Sequence, residues 1–137
     1  MLEWAGKRTV CVSCRRMKED GAEGREKMRV CDLAEKGIFS VVNLAGEASQ
    51  EITTPYCCDF LSVAMSRAPA GCAWVTVTAN VNTLAVATLT EAACVILAEG
   101  AQLDENAVEK AKEQEITVFA TDLPVFEAAL AVKEFLK

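Results

Sequence analysis

The amino-acid sequence predicts an α/β domain, a three-layer α/β/α arrangement with a mostly parallel central sheet. Two β-branched runs, Trp74–Thr78 and Cys94–Leu97, alternate with apolar stretches of helical character between residues 56 and 97. Strands that alternate with helices are typical of βαβ units, in which the strands pair in parallel. The alternation continues to the C-terminus, and its short helical segments suit right-handed crossovers.

The chain before this stretch predicts a further helix and a further strand. Val30, Leu33 and Ala34 have the spacing of one helical face, and Gly37 is a typical residue for ending that helix. The run Ile38–Val42 then predicts a strand, because it is rich in β-branched and aromatic residues.

Capping residues predict where the later helices begin. Asp59 is expected to cap a helix or to lie in its first turn, Asn82 is expected to cap the next helix, and Asp104 is expected to cap Glu105–Glu113. Pro124 suits the first position of the last helix, which we expect to extend to about residue 135.

Length and composition predict one folded domain behind a polar segment. The chain has 137 residues, of which 52% are hydrophobic, and this is enough for a real core. Residues 18–27 are almost all polar or small. We therefore expect 1–27 to be a flexible N-terminal extension and 28–137 to be a single α/β domain.

The distribution of charge argues against two classes of partner. Residues 1–27 contain seven Lys/Arg and five Asp/Glu, whereas the rest contains seven Lys/Arg and fifteen Asp/Glu. An acidic body repels nucleic acid and anionic membranes, and no apolar run approaches the length of a membrane span. The N-terminus also lacks the apolar core of a secretory signal peptide, so we expect a cytoplasmic protein.

The absence of histidine argues against catalysis. Without histidine, the chain alone cannot form Ser-His-Asp, Cys-His or His-metal sites. No GxxxxGK[ST] loop or GxGxxG turn is present either. We therefore expect no enzymatic activity, no catalytic residues, no bound metal and no cofactor.

Seven cysteines leave a second interpretation open. Cys11 and Cys14 have the CxxC spacing of metal and redox sites, and Cys57 and Cys58 could supply further thiolates. The spacing is not a repeated CxxC pair, and Cys in apolar strands behaves as a small buried hydrophobe. A cysteine-based metal or redox accessory protein is thus the alternative function.

The candidate ligand-binding residues follow the strands. Ligands of open parallel sheets lie beyond the carboxyl ends of the strands, and Leu97–Gly100 forms one such end. Two other ends carry hydroxyl and amide groups, and helices that start there would direct backbone N–H groups towards an anion. The same residues could instead be simple helix caps. The candidates for ligand binding are Thr78, Asn80, Asn82, Thr83, Thr121 and Asp122.

The chain from about Met28 onwards resembles the DRTGG-domain family, small α/β domains related to the N-terminal domain of HPr kinase/phosphorylase. It looks most like the short stand-alone members found near iron-only hydrogenase and redox genes. A literal Asp-Arg-Thr-Gly-Gly string is absent, and Asn80–Thr83 stands where such a motif would fall, without its Arg. The segments that carry the resemblance are Tyr56–Ser62, Trp74–Val77, Asn82–Ala87 and Ala120–Glu127.

The resemblance implies a non-catalytic regulatory or ligand-sensing module, and a homodimer is the expected oligomeric state. Its ligand would be a small anionic metabolite or a nucleotide, and its partner a redox or hydrogenase-linked system. The kinase activity of larger relatives belongs to a separate phosphate-loop domain, and this chain has no such loop.

Overall fold

The computed structural model describes residues 28–45 and 50–136. The predicted N-terminal extension and the Cys11/Cys14 pair lie outside these residues. None of the helices within them is both long and apolar enough to cross a membrane.

The described residues form five helices and five strands, which largely alternate along the chain. The helices are α1 (Val30–Lys36), α2 (Leu61–Arg67), α3 (Val81–Thr90), α4 (Glu105–Glu113) and α5 (Val125–Phe135). The strands are β1 (Ser40–Asn43), β2 (Thr54–Cys57), β3 (Cys72–Thr76), β4 (Cys94–Leu97) and β5 (Val118–Ala120).

The five strands form one sheet in the order β1-β5-β4-β3-β2. Strands β2, β3, β4 and β5 run in parallel, and β1 pairs antiparallel with β5 at one side. The other outer strand, β2, contains Pro55, which lacks a backbone donor and is best tolerated in an edge strand. The sheet is therefore mostly parallel, as the sequence predicts.

Alternate residues of the central strands enter two separate cores. In β3, Ala73 and Val75 pack in the core that contains buried residues of α1 and α5. Trp74 faces the other way, into the core that contains buried residues of α2, α3 and α4. Helices thus cover both faces of the sheet, and the predicted three-layer α/β/α class is confirmed.

Three local predictions need correction. Strand β3 covers Cys72–Thr76 rather than Trp74–Thr78, so Thr78 lies in the loop after the strand. The cap of α3 is Asn80 rather than Asn82, because the side chain of Asn80 accepts hydrogen bonds from two backbone N–H groups of the first turn. Asp59 does not cap α2, which follows Phe60, and its carboxylate binds β3 instead.

Other local predictions agree with the structure. Gly37 ends α1 in the left-handed conformation (φ 72°), which glycine adopts without the steric cost of a Cβ atom. Asp104 caps α4 by accepting a hydrogen bond from the Ala107 backbone N–H at 2.8 Å. These signals are local, so the sequence alone is sufficient to predict them.

Candidate ligand-binding edge of the sheet

The parallel strands β3, β4 and β5 end at the same edge of the sheet, and backbone hydrogen bonds join the loops that follow them. The Ala98 N–H donates to the Thr76 carbonyl at 3.0 Å, and the Gly100 N–H donates to the Thr121 carbonyl at 3.0 Å. The Glu99 N–H donates to the Leu123 carbonyl at 2.8 Å. The three predicted locations therefore share one edge, which we call the carboxyl edge.

The loop after β3 is held by a network centred on Asp59. One carboxylate oxygen of Asp59 accepts hydrogen bonds from the Thr76 hydroxyl at 2.8 Å and from the Val77 N–H at 2.9 Å. The Thr78 hydroxyl donates to the Asp59 carbonyl at 3.2 Å. The polar groups at this end of β3 are thus bound to one another.

The backbone N–H groups at the start of α3 also have hydrogen-bond partners within the protein. The Asn80 side-chain oxygen accepts hydrogen bonds from the backbone N–H groups of Asn82 at 2.9 Å and Thr83 at 3.2 Å. Thr83 is fully buried, and its hydroxyl donates to the Thr78 carbonyl at 2.6 Å. Asn80 and Thr83 therefore have structural roles, whereas Asn82 is exposed; their contacts with a ligand stay a prediction.

The end of β5 differs, because a pocket of about 360 Å³ opens beside it. Thr121 and Asp122 line this pocket together with Ser40 and Gln102. Within residues 28–45 and 50–136, the side chains of Asp122, Ser40 and Gln102 make no hydrogen bond or ion pair, while the Thr121 hydroxyl oxygen accepts one from the Leu123 N–H at 3.2 Å. The side chains of Asp122, Ser40 and Gln102 are exposed to solvent and are therefore available to a ligand.

The structure divides the six candidates between two locations. The pocket contains Thr121 and Asp122, and it does not reach the loop from Thr78 to Thr83. Two strand spacings, about 10 Å, separate the ends of β3 and β5. A ligand that contacts both groups must therefore extend across the end of β4.

Sequence reasoning missed Ser40 and Gln102. Ser40 reaches this edge because β1 is antiparallel to β5 and pairs Ser40 with Ala120. No sequence signal identifies the neighbour of β1. Gln102 follows the predicted strand end Leu97–Gly100 by two residues, so a wider window there could have found it.

The start of α5 carries negative charge, which disfavours an anionic ligand at this helix. The Val125 N–H lies 3.5 Å from a carboxylate oxygen of Glu99, and Glu127 lies in the first turn. Carboxylates stabilise a helix N-terminus, and they repel a further anion. The start of α3 has no acidic residue in its first turn, and residues 76–83 include no ionisable side chain.

The described cysteines are not grouped with other metal-ligating side chains. No group of three or more metal-ligating side chains occurs within residues 28–45 and 50–136. Burial raises the pKa of Cys72 to about 11 and raises the pKa of Cys94 as well. The pKa of Cys57 is raised mainly by partial burial and secondly by the negative charge of Asp59. Raised pKa values disfavour the thiolate, which is the reactive form.

These thiols predict a loss of stability at alkaline pH. An unfolded thiol loses its proton near pH 8.5, whereas Cys72 keeps its proton to about pH 11. The unfolded state then binds fewer protons than the folded state, so the free energy of unfolding falls as the pH rises through this window. Urea unfolding at pH 7, 8.5 and 10.5 measures the fall. A Cys72→Ala/Cys94→Ala variant should show a shallower decline, and an equal decline would contradict the assignment.

The described residues form an α/β/α domain, because a five-stranded sheet lies between two layers of helices. No family model matches the chain, and no curated protein matches it. Among solved structures, the chain is similar to the CBS and DRTGG domains of the regulatory region of Clostridium perfringens pyrophosphatase, complexed with the activator diadenosine tetraphosphate. The TM-score is 0.56 at 16% sequence identity, and the match covers 67% of this chain and 40% of that chain. This likeness supports a DRTGG-like fold.

Proposed function

We propose that this chain is a non-catalytic regulatory module that senses a small nucleotide-type ligand at the carboxyl edge. The observation that carries the proposal is the pocket beside β5, where three polar side chains lack partners within the described residues. Pockets of 300–1,000 Å³ with a few free polar groups are typical of small-molecule sites. The similar solved structure is a regulatory region complexed with a dinucleotide activator, which supports the same class of ligand.

The charges at this edge support one orientation of the ligand. A phosphate at the start of α5 would meet Glu99, Asp122 and Glu127. The first turn of α3 carries no acidic group, although the Asn80 side chain already accepts hydrogen bonds from the Asn82 and Thr83 N–H groups. A phosphate at α3 would therefore have to displace the Asn80 side chain, and the pocket would contact the remainder of the ligand.

The side chains at the carboxyl edge support a binding role rather than catalysis. One oxygen of Asp59 is bonded to Thr76 and Val77, so this carboxylate has a structural role. Within the described residues, no nucleophile lies in hydrogen-bond contact with Asp122. An adjacent base is one of the usual ways in which a nucleophile is activated.

We expect nucleotides to raise the midpoint temperature of unfolding, because a ligand that binds only the folded state stabilises it. A ligand at 100 times its Kd adds about 2.7 kcal/mol, which corresponds to several degrees for a domain of this size. Differential scanning fluorimetry with AMP, ATP and diadenosine tetraphosphate measures the shift.

A pocket-blocking pair of variants tests the location. Ala101→Phe places a ring at the pocket, whereas Ala85→Phe places one on an exposed face of α3. Ala101→Phe should remove the shift and Ala85→Phe should retain it. If wild-type protein shows no shift with any of the three nucleotides, the proposed function is wrong.

A homodimer is the second part of the proposal, and exposed apolar residues of α5 are its candidate surface. Val86, Ala87 and Ala128 are buried in the cores of the single chain. Phe126 and Leu130 are exposed on α5 and lie four residues apart, so they share one helical face. Light scattering at several concentrations should show a dimer that Phe126→Ser weakens, and a strict monomer would contradict this part.

The link to a redox or hydrogenase system rests on the family resemblance.

A further inference from the structure

We propose that the pocket beside β5 binds two adjacent hydroxyl groups, such as the sugar diol of a nucleoside, and does not bind phosphate. This inference rests on the proposed function, because it states which part of the ligand the pocket contacts. It follows from the charge, the hydrogen-bonding capacity and the size of the pocket.

The charge of the pocket excludes an anionic group. Asp122 is the charged residue of the lining, and none of the described lining residues is Lys or Arg. Glu99 precedes the lining residue Gly100, and its carboxylate lies at the start of α5. These carboxylates would repel a phosphate, and the described lining offers no cation to offset the repulsion.

The hydrogen-bonding capacity suits hydroxyl groups. A carboxylate accepts hydrogen bonds through two oxygens and donates none, so Asp122 can accept one bond from each of two neighbouring hydroxyls. The Ser40 hydroxyl and the Gln102 amide can then donate to the oxygens of the same hydroxyls. All three side chains lack partners within the described residues. Because each hydroxyl of a diol both donates and accepts, a diol matches the acceptors of Asp122 and the donors of Ser40 and Gln102, which line the same pocket.

The geometry of the pocket keeps Asp122 accessible. A Cβ atom at Gly100 would lie 3.4 Å from a carboxylate oxygen of Asp122, so the absence of a side chain at Gly100 leaves room beside that oxygen. The volume of about 360 Å³ is sufficient for a sugar ring, with the rest of a nucleoside extending towards the opening.

The contrast with the other end of the edge supports this assignment. At β3, the hydroxyl groups of Thr76, Thr78 and Thr83 all donate to oxygens of the protein itself. A hydroxyl-bearing ligand gains little there, because each new hydrogen bond must replace an existing one.

Calorimetric titration of the full chain separates the diol from the phosphate. We expect adenosine and AMP to bind, 2′,3′-dideoxyadenosine to bind at least about tenfold more weakly, and inorganic phosphate not to compete with adenosine. D-ribose distinguishes the two sources of the diol: competition with adenosine indicates recognition of the sugar alone, and its absence indicates that the base also contributes.

A matched pair of carboxylate variants tests the residue. Asp122→Asn should lower the affinity for adenosine by about tenfold or more, because the substitution removes the negative charge and one hydrogen-bond acceptor. Glu127→Gln neutralises a carboxylate in the first turn of α5, five residues after Asp122 and outside the pocket lining, and its affinity for adenosine should remain within about twofold of wild type.

The outcomes separate this inference from the proposed function. Equal affinity for adenosine and its dideoxy form, or unchanged affinity in Asp122→Asn, overturns the diol assignment even when nucleotides bind. If neither nucleosides nor nucleotides bind, the proposed function fails, and the diol assignment fails with it.

Discussion

Replacing Trp74 with alanine is expected to lower the free energy of unfolding by about 3–5 kcal/mol, which is the usual cost of truncating a large buried aromatic residue. Trp74 is fully buried in the middle of β3, where it packs in the core beneath α2, α3 and α4. Its indole N–H also donates to the Cys58 carbonyl at 2.8 Å, which fixes the loop between β2 and α2. The loss therefore combines a cavity with a broken hydrogen bond, and urea unfolding followed by circular dichroism measures it.

Trp74→Phe separates these two contributions. Phenylalanine keeps most of the aromatic packing but has no N–H group, so we expect a clearly smaller loss of about 1–3 kcal/mol. Equal losses for the two variants would mean that the hydrogen bond to Cys58, rather than packing, dominates. A loss below about 1 kcal/mol for Trp74→Ala would contradict the placement of Trp74 in the core.

Replacing Asp59 with alanine is expected to lower the free energy of unfolding by about 1.5–3 kcal/mol. The carboxylate accepts hydrogen bonds from the Thr76 hydroxyl and the Val77 N–H, and Thr76 is fully buried. Alanine leaves that hydroxyl without its acceptor in a place that water reaches poorly. Chemical unfolding measures the stability, and amide hydrogen exchange at Val77 should become faster in the variant.

Asp59→Asn is the matched control, because it keeps one side-chain oxygen in the same place. We expect it to retain more than half of the stability that Asp59→Ala loses, and to keep the protection of the Val77 amide. An Asn variant as unstable as the Ala variant would show that the negative charge matters more than the acceptor geometry. No effect in either variant would contradict the network at the end of β3.

Features that depend on neighbouring residues could be predicted well. The Asp104 cap and the Gly37 helix end each depend on atoms within a few residues, so the sequence shows both partners at once. The boundaries of β3 were less accurate. Cys72 and Ala73 do not look like strand residues, but they pair with Thr54 and Pro55 on one side, and Ala73 pairs with Cys94 on the other.

The role of Asp59 could not be predicted, because its partner is distant in the sequence. An acidic residue ahead of an apolar helical stretch is a typical cap signal, yet its carboxylate binds Thr76, which is 17 residues away. The choice between Asn80 and Asn82 as the cap of α3 failed for a different reason. The two residues are of the same type, and only the extended backbone of Asn80 (φ −149°, ψ 176°) decides between them.

The α/β/α class could be predicted from the sequence alone, together with the strand ends that share an edge, because strands that alternate with helices pair in parallel. Which polar groups at that edge have partners could be seen only in the folded chain. The Thr78 hydroxyl donates to Asp59, and Asn80 and Thr83 are bonded to residues of their own loop and first helical turn, whereas Asp122 and Ser40 line one open pocket. The physical reason is that hydrogen-bond partners are chosen by proximity in space, and β1 reaches β5 across more than 70 residues of chain.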